Sequence, residues 1–148
     1  MDIKGQASAE YLLLALVFLI IVGSVTVPLI GKSIDSSLDV SDTSSVSASI
    51  NSITNAVGIV YANGPGAKRT INVYFPASGT LSYNTINKTL QMPVTLSNGT
   101  NKVIDSNVPI TLTINNASST SITTKGNYNV TVTWPVGSSP ISVGLNPS

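Results

Sequence analysis

Cysteine and histidine are both absent from this chain. That removes disulfides, thiolate nucleophiles, imidazole acid–base chemistry and the usual ligands of zinc, haem and iron–sulfur sites. Charge is nearly as scarce: 9% of residues are charged and the formal net charge is +1, so there is no basic surface to hold a nucleic-acid backbone. Serine is plentiful, but no histidine base and no nucleophile-elbow pattern is present to activate one. These gaps predict a protein that is not an enzyme, needs no cofactor and does not bind nucleic acid. They do not assign a redox compartment, because secreted domains can be held by packing alone. The length of 148 residues leaves room for one compact domain and one further element.

What the chain has instead is a long apolar run. From Tyr11 to Gly31, 21 positions carry no charge, and a helix of that length extends about 32 Å at roughly 1.5 Å per residue, enough to cross a bilayer. Leu, Ile, Val and Ala occupy every face; Gly23 and Pro28 are the residues that weaken a helix, and Pro28 is a place for a kink. A secretory signal cleaved after the run would need a small-residue cut site where Val27, Pro28 and Leu29 stand, so cleavage there is not expected. Beyond Lys32, the residues Ile34, Leu38, Val46, Ile50, Ile53, Val57 and Val60 recur at spacings of three, four and their multiples. This predicts one buried stripe on a helix that continues to about Tyr61. Asn63-Gly64-Pro65-Gly66 supplies tolerance of positive φ and a missing amide donor, which together end a helix.

From Lys68 onward the period changes to two. Ile71, Val73 and Phe75 alternate with polar or half-polar neighbours, as do Val108, Ile110, Leu112 and Ile114, and again Tyr128, Val130, Val132 and Trp134; each set predicts a strand with one buried face. Ile86, Leu90 and Met92 suggest another strand, with Lys88 interrupting its apolar face, and Val94 to Leu96 forms a short run before the turn signal Ser97-Asn98-Gly99. Pro109 is expected near an edge or a strand start, where a missing donor does least harm. The expected fold class is α+β: a long N-terminal helix, its hydrophobic half protruding and its amphipathic half packed on a small antiparallel β-sheet or sandwich.

Glu10 is the only glutamate in the chain, and it stands at the edge of the apolar span. An unpaired carboxylate buried there would cost several kcal/mol, so it requires a partner. Just upstream runs Lys4-Gly5-Gln6-Ala7-Ser8-Ala9-Glu10-Tyr11. The basic residue, Gly, and then Gln, Ser, Glu and Tyr at these spacings, followed directly by the apolar helix, resemble the class III signal peptide of archaeal type IV-like pilins, most closely the methanogen-type pilins. The resemblance covers about residues 4 to 30. It implies that a membrane prepilin peptidase cuts between Gly5 and Gln6, removing 1–5 and making Glu10 the fifth residue of the mature chain. It further implies a homo-oligomeric helical filament built through Glu10, Tyr11 and the apolar helix, a membrane-bound precursor, a pilus assembly platform as partner, and surface adhesion or cell–cell contact as the task. Cutting before Gln6 would create an α-amino group and remove the Lys4 charge that favours cytoplasmic retention; each Glu10 could then be neutralised by its own or a neighbour's amine. The small residues Ala7, Ser8, Ala9, Ala15 and Gly23 would let such helices approach closely. The organisation expected is therefore a signal segment at 1–5, a helix at 6–62 with its hydrophobic part at 11–31, and a β-rich headpiece at 63–148.

Four sequons occur, at Asn87, Asn98, Asn116 and Asn129, while Asn146 is followed by proline and excluded. All lie beyond the helix, Asn87 and Asn129 on expected solvent-facing strand positions, and together they favour an extracellular headpiece. Asp35, Asp39 and Asp42 share a helical face but supply too few converging oxygens for a cation, so a solvated face is expected, with no metal site. Lys68 and Arg69 are expected to be solvated charge. A different class of function, a minor pilin or membrane-anchored binding protein whose headpiece recognises a surface ligand, fits the same layout and would be distinguished by its scarcity in purified filaments.

Overall fold

The computed structural model describes residues 3–137 and 140–148, with residues 3–7 described by their backbone alone. The chain divides into two compact units, Met1–Leu38 and Asp39–Ser148. One helix, α1 (Ile3–Asn63), supplies all the described structure of the first unit and continues into the second.

In the first unit, α1 begins at Ile3, ahead of the expected start at Gln6, because a single Gly5 costs only about 1 kcal/mol in a helix and does not stop it. Met1 and Asp2 of the expected signal segment lie outside the described residues, as do the side chains of Lys4 and Gln6 on either side of Gly5. Pro28 lies inside the helix, where it leaves the carbonyl of the preceding turn without its usual donor. The large apolar side chains from Tyr11 to Ile30 expose between 42% and 75% of their surface. Ile34 and Leu38, expected in the buried stripe, are likewise exposed. Their spacing gives them a common face, but periodicity identifies a face without saying what covers it.

In the second unit the stripe does bury: Val46, Ile50, Ile53, Val57 and Val60 are each within 1% of complete burial. Its strands are β1 (Lys68–Phe75), β2 (Gly79–Asn84), β3 (Thr89–Thr95), β4 (Asn101–Asn107), β5 (Leu112–Ile114), β6 (Ser119–Ile122), β7 (Gly126–Thr133) and β8 (Ile141–Pro147). They form two four-stranded sheets, ordered β1-β7-β8-β5 and β4-β3-β2-β6. All pairings are antiparallel except β5 with β8, which is parallel. Inward residues of both sheets and of α1 make one core. The helix bonds to an edge strand of each sheet: Ser49 Oγ donates to the Tyr74 carbonyl of β1 at 2.5 Å, and the hydroxyls of Thr54 and Ser106 in β4 lie 3.2 Å apart. The first of these bonds satisfies one backbone carbonyl of β1, and the second joins side chains only. Gly64, at φ +84, stops the helix by donating its N–H back to Val60 O and Tyr61 O, the left-handed cap that glycine adopts without a Cβ penalty.

The strands at β1 and β7 fall where alternation places them, with Val73, Phe75, Tyr128, Val130 and Val132 buried. Two other segments differ from expectation. Ile86 is 88% exposed in the turn before β3, because Asn84 Oδ1 accepts the N–H groups of Ile86 and Asn87 and reverses the chain there. Lys88, at φ +53, belongs to the same turn and interrupts no strand; the apolar face of β3 is Leu90, Met92 and Val94. Of the expected strand through 108–114 only β5 forms, and Pro109 lies in the bend ahead of it. Val108 and Leu112 are still buried, so the alternation reported burial correctly in a stretch whose backbone proline breaks.

Candidate assembly helix and surface sites

Glu10 and Tyr11 sit on α1, both exposed, immediately before the apolar stretch. That helix is long and apolar enough to cross a membrane, as a signal sequence near an N-terminus also is, and its apolar window is wholly unburied. Leaving so many leucine, isoleucine and valine side chains in water is untenable at roughly 1.5–3 kcal/mol for each. The segment must therefore be covered by lipid, by detergent-like partners or by other helices.

Among the described residues no cluster of acidic side chains is disposed to hold a metal ion. The aspartates of α1 nevertheless do more than meet solvent. Asp39 Oδ1 accepts the N–H of Ser97 at 2.9 Å and its Oδ2 accepts Ser97 Oγ–H at 2.6 Å, so this carboxylate ties the helix to the turn between β3 and β4. The expectation of a purely solvated face is corrected at this residue. A signal for it was present: Asp39 lies seven residues, nearly two helical turns, before Val46 and so on the buried face. A shallow groove of about 450 Å³ opens beside the clamp, lined by Val40, Thr43, Ser47, Leu96, Lys102 and Ile104 among others. Lys68 and Arg69 are exposed at the start of β1.

Tyr61, near the end of α1, stacks on Trp134 just past β7, with ring centroids 5.6 Å apart and planes 22° from parallel. Sequence reasoning placed both residues on their elements but gave no means of pairing them. Three of the four sequon asparagines lie in turns: Asn87 before β3, Asn98 between β3 and β4, and Asn116 between β5 and β6. Asn129 alone is on a strand, β7, and all four are exposed. The strand position expected for Asn87 is corrected by the same Asn84 turn that displaces Ile86.

Comparison with models of protein families, with curated proteins and with solved structures finds no match to this chain.

Proposed function

We propose that this chain is a structural subunit of an archaeal type IV-like pilus, made as a membrane-inserted precursor, cut between Gly5 and Gln6 by a prepilin peptidase, and polymerised through its apolar helix into an extracellular filament that serves adhesion or cell–cell contact. The observation that carries this reading is an uncovered apolar helix surface running from Tyr11 to Ile30 directly after the chain's single glutamate. Lipid covers such a surface in the precursor. Neighbouring helices cover it in the filament, where packing through small side chains replaces lipid contacts.

Glu10 has a defined part in that exchange. Next to an apolar bundle its carboxylate is stable only if paired, and the amine freed at Gln6 lies about one helical turn away, at 1.5 Å per residue. A subunit that docks out of register leaves a buried charge unpaired, so the pair sets register as well as cohesion. The test is peptide mass spectrometry of filaments sheared from the native cells. A dominant N-terminal peptide beginning at Gln6 is expected. Chains that keep Met1 and stay in the membrane would overturn the proposal in favour of a tethered binding protein.

A further inference from the structure

The four sequons are equivalent as motifs but not as folded surfaces, and their geometry separates them. N-linked transfer needs two groups at once: a free asparagine Nδ2, and a threonine or serine hydroxyl two residues on that the transferase can reach. At Asn129 the segment is an inner strand, paired with β1 on one side and β8 on the other. There Asn129 Oδ1 accepts Asn72 Nδ2–H at 3.2 Å, and the Thr131 hydroxyl is bonded to Thr70 Oγ1 at 3.1 Å. At Asn87 the asparagine is exposed but the hydroxyl residue, Thr89, is buried in β3. At Asn116 the asparagine and the Ser118 hydroxyl residue are both exposed, but the chain is locked into a two-residue turn closed by Ile114 and Ala117, Asn115 and Asn116 are held at φ +47 and +64, and no bond joins Asn116 to Ser118 among the described residues.

Asn98 differs on each count. Asn98, Gly99 and Thr100 are all exposed. The Asn98 Oδ1 accepts both the N–H of Thr100 at 2.9 Å and its Oγ1–H at 2.6 Å. The asparagine and hydroxyl of the sequon are thus already joined, and Nδ2 has no partner among the described residues. Donation of two hydrogen bonds to Oδ1 draws charge toward the oxygen and makes an Nδ2 proton easier to remove. Asp39 holds the preceding Ser97 by two hydrogen bonds, so the turn is presented on a fixed base.

We infer that Asn98 is the N-glycosylation site that the folded headpiece presents, and that Asn129 is closed once folding is complete. In the reaction, Nδ2 of Asn98 forms a bond to the anomeric carbon of a lipid-phosphate-linked glycan. The bond from that carbon to the phosphate oxygen breaks, the lipid phosphate departs with the electron pair, and one Nδ2 proton passes to a base on the transferase. The inference rests on the proposed extracellular position of the headpiece but not on filament assembly.

One digest of the protein from its native cells tests it, because the N-terminal peptide and the four sequon peptides are read together. The expected result is a glycan mass on the Asn98 peptide, none on the Asn129 peptide, loss of the Asn98 glycan in a Thr100→Ala variant and its retention in Thr100→Ser. A bare Asn98 peptide, or Asn129 occupied as fully as Asn98, overturns the inference. Gln6 at the N-terminus with a bare Asn98 would sink the modification alone, whereas an intact Met1 with an occupied Asn98 would sink the processing alone.

Discussion

Glu10 and Asp39 are both carboxylates on one helix, and they illustrate what a sequence does and does not disclose about a side chain. The place of Glu10 on a helix beside an apolar run could be read from the sequence, and a charge in that position calls for a partner once it is buried. Replacing Glu10 by alanine removes the charge proposed to set register while leaving helix propensity intact. The expected outcome is a normal membrane pool of the subunit with little of it in sheared filaments, measured by quantifying the chain in both fractions; filaments at normal yield would sink the role given to Glu10. For Asp39 the face could be read from its spacing to Val46 but the clamp could not, because its partner Ser97 is distant in the chain and only the tertiary fold brings the two together. An Asp39→Ala variant is expected to speed hydrogen exchange at the Ser97 amide while leaving exchange in β7 unchanged.

At the scale of elements, the stripe on α1 separates into a buried half and an exposed half that share one periodicity. Ile53 is fully buried and Ile34 is 55% exposed. Ile53→Ala should therefore destabilise the second unit by about 2–5 kcal/mol, seen as a lower midpoint of thermal unfolding in detergent, whereas Ile34→Ala should leave that midpoint where it is. Equal shifts would contradict the assignment of the core. The same comparison explains which elements the sequence revealed. β1 and β7 were readable because apolar alternation, absence of proline and burial of the apolar face, complete at Tyr128, Val130 and Val132 and partial along β1, coincide. β5 was not, since its sole strand partner is the parallel β8, nearly thirty residues further on, and Pro109 cuts the alternating run short. The displacement of Ile86 came from an asparagine side chain capturing two amides, a local competition that hydrophobic periodicity does not register.

For the molecule as a whole, the β-strands and the second part of α1 share one core, which makes that part of the helix a structural component of the β-rich unit. A fragment beginning at Asp39 is expected to be soluble and to unfold cooperatively. One beginning at Gly64 lacks Val46, Ile50, Ile53, Val57 and Val60 and so exposes the apolar side chains they cover in the shared core; it should aggregate or bind a hydrophobic dye. Cooperative unfolding of the shorter fragment would refute the shared core. The broad α+β layout was therefore readable from periodicity, while the bonds from α1 to β1 and β4 were not, because they depend on which strands end up outermost.

The place of β8 adds a consequence for how the chain is made. The latest strand in chain order, Ile141–Pro147, occupies an inner position between β7 and β5, so neither of its neighbours is fully paired until it arrives. At roughly 5–20 residues per second, the apolar helix leaves the ribosome several seconds before this strand is synthesised. The apolar segment therefore meets its surroundings before the sheet can be completed. A chain stalled before Ile141 would have its apolar segment finished but β5 and one side of β7 unpaired, while the β4-β3-β2-β6 sheet needs nothing from the missing strand.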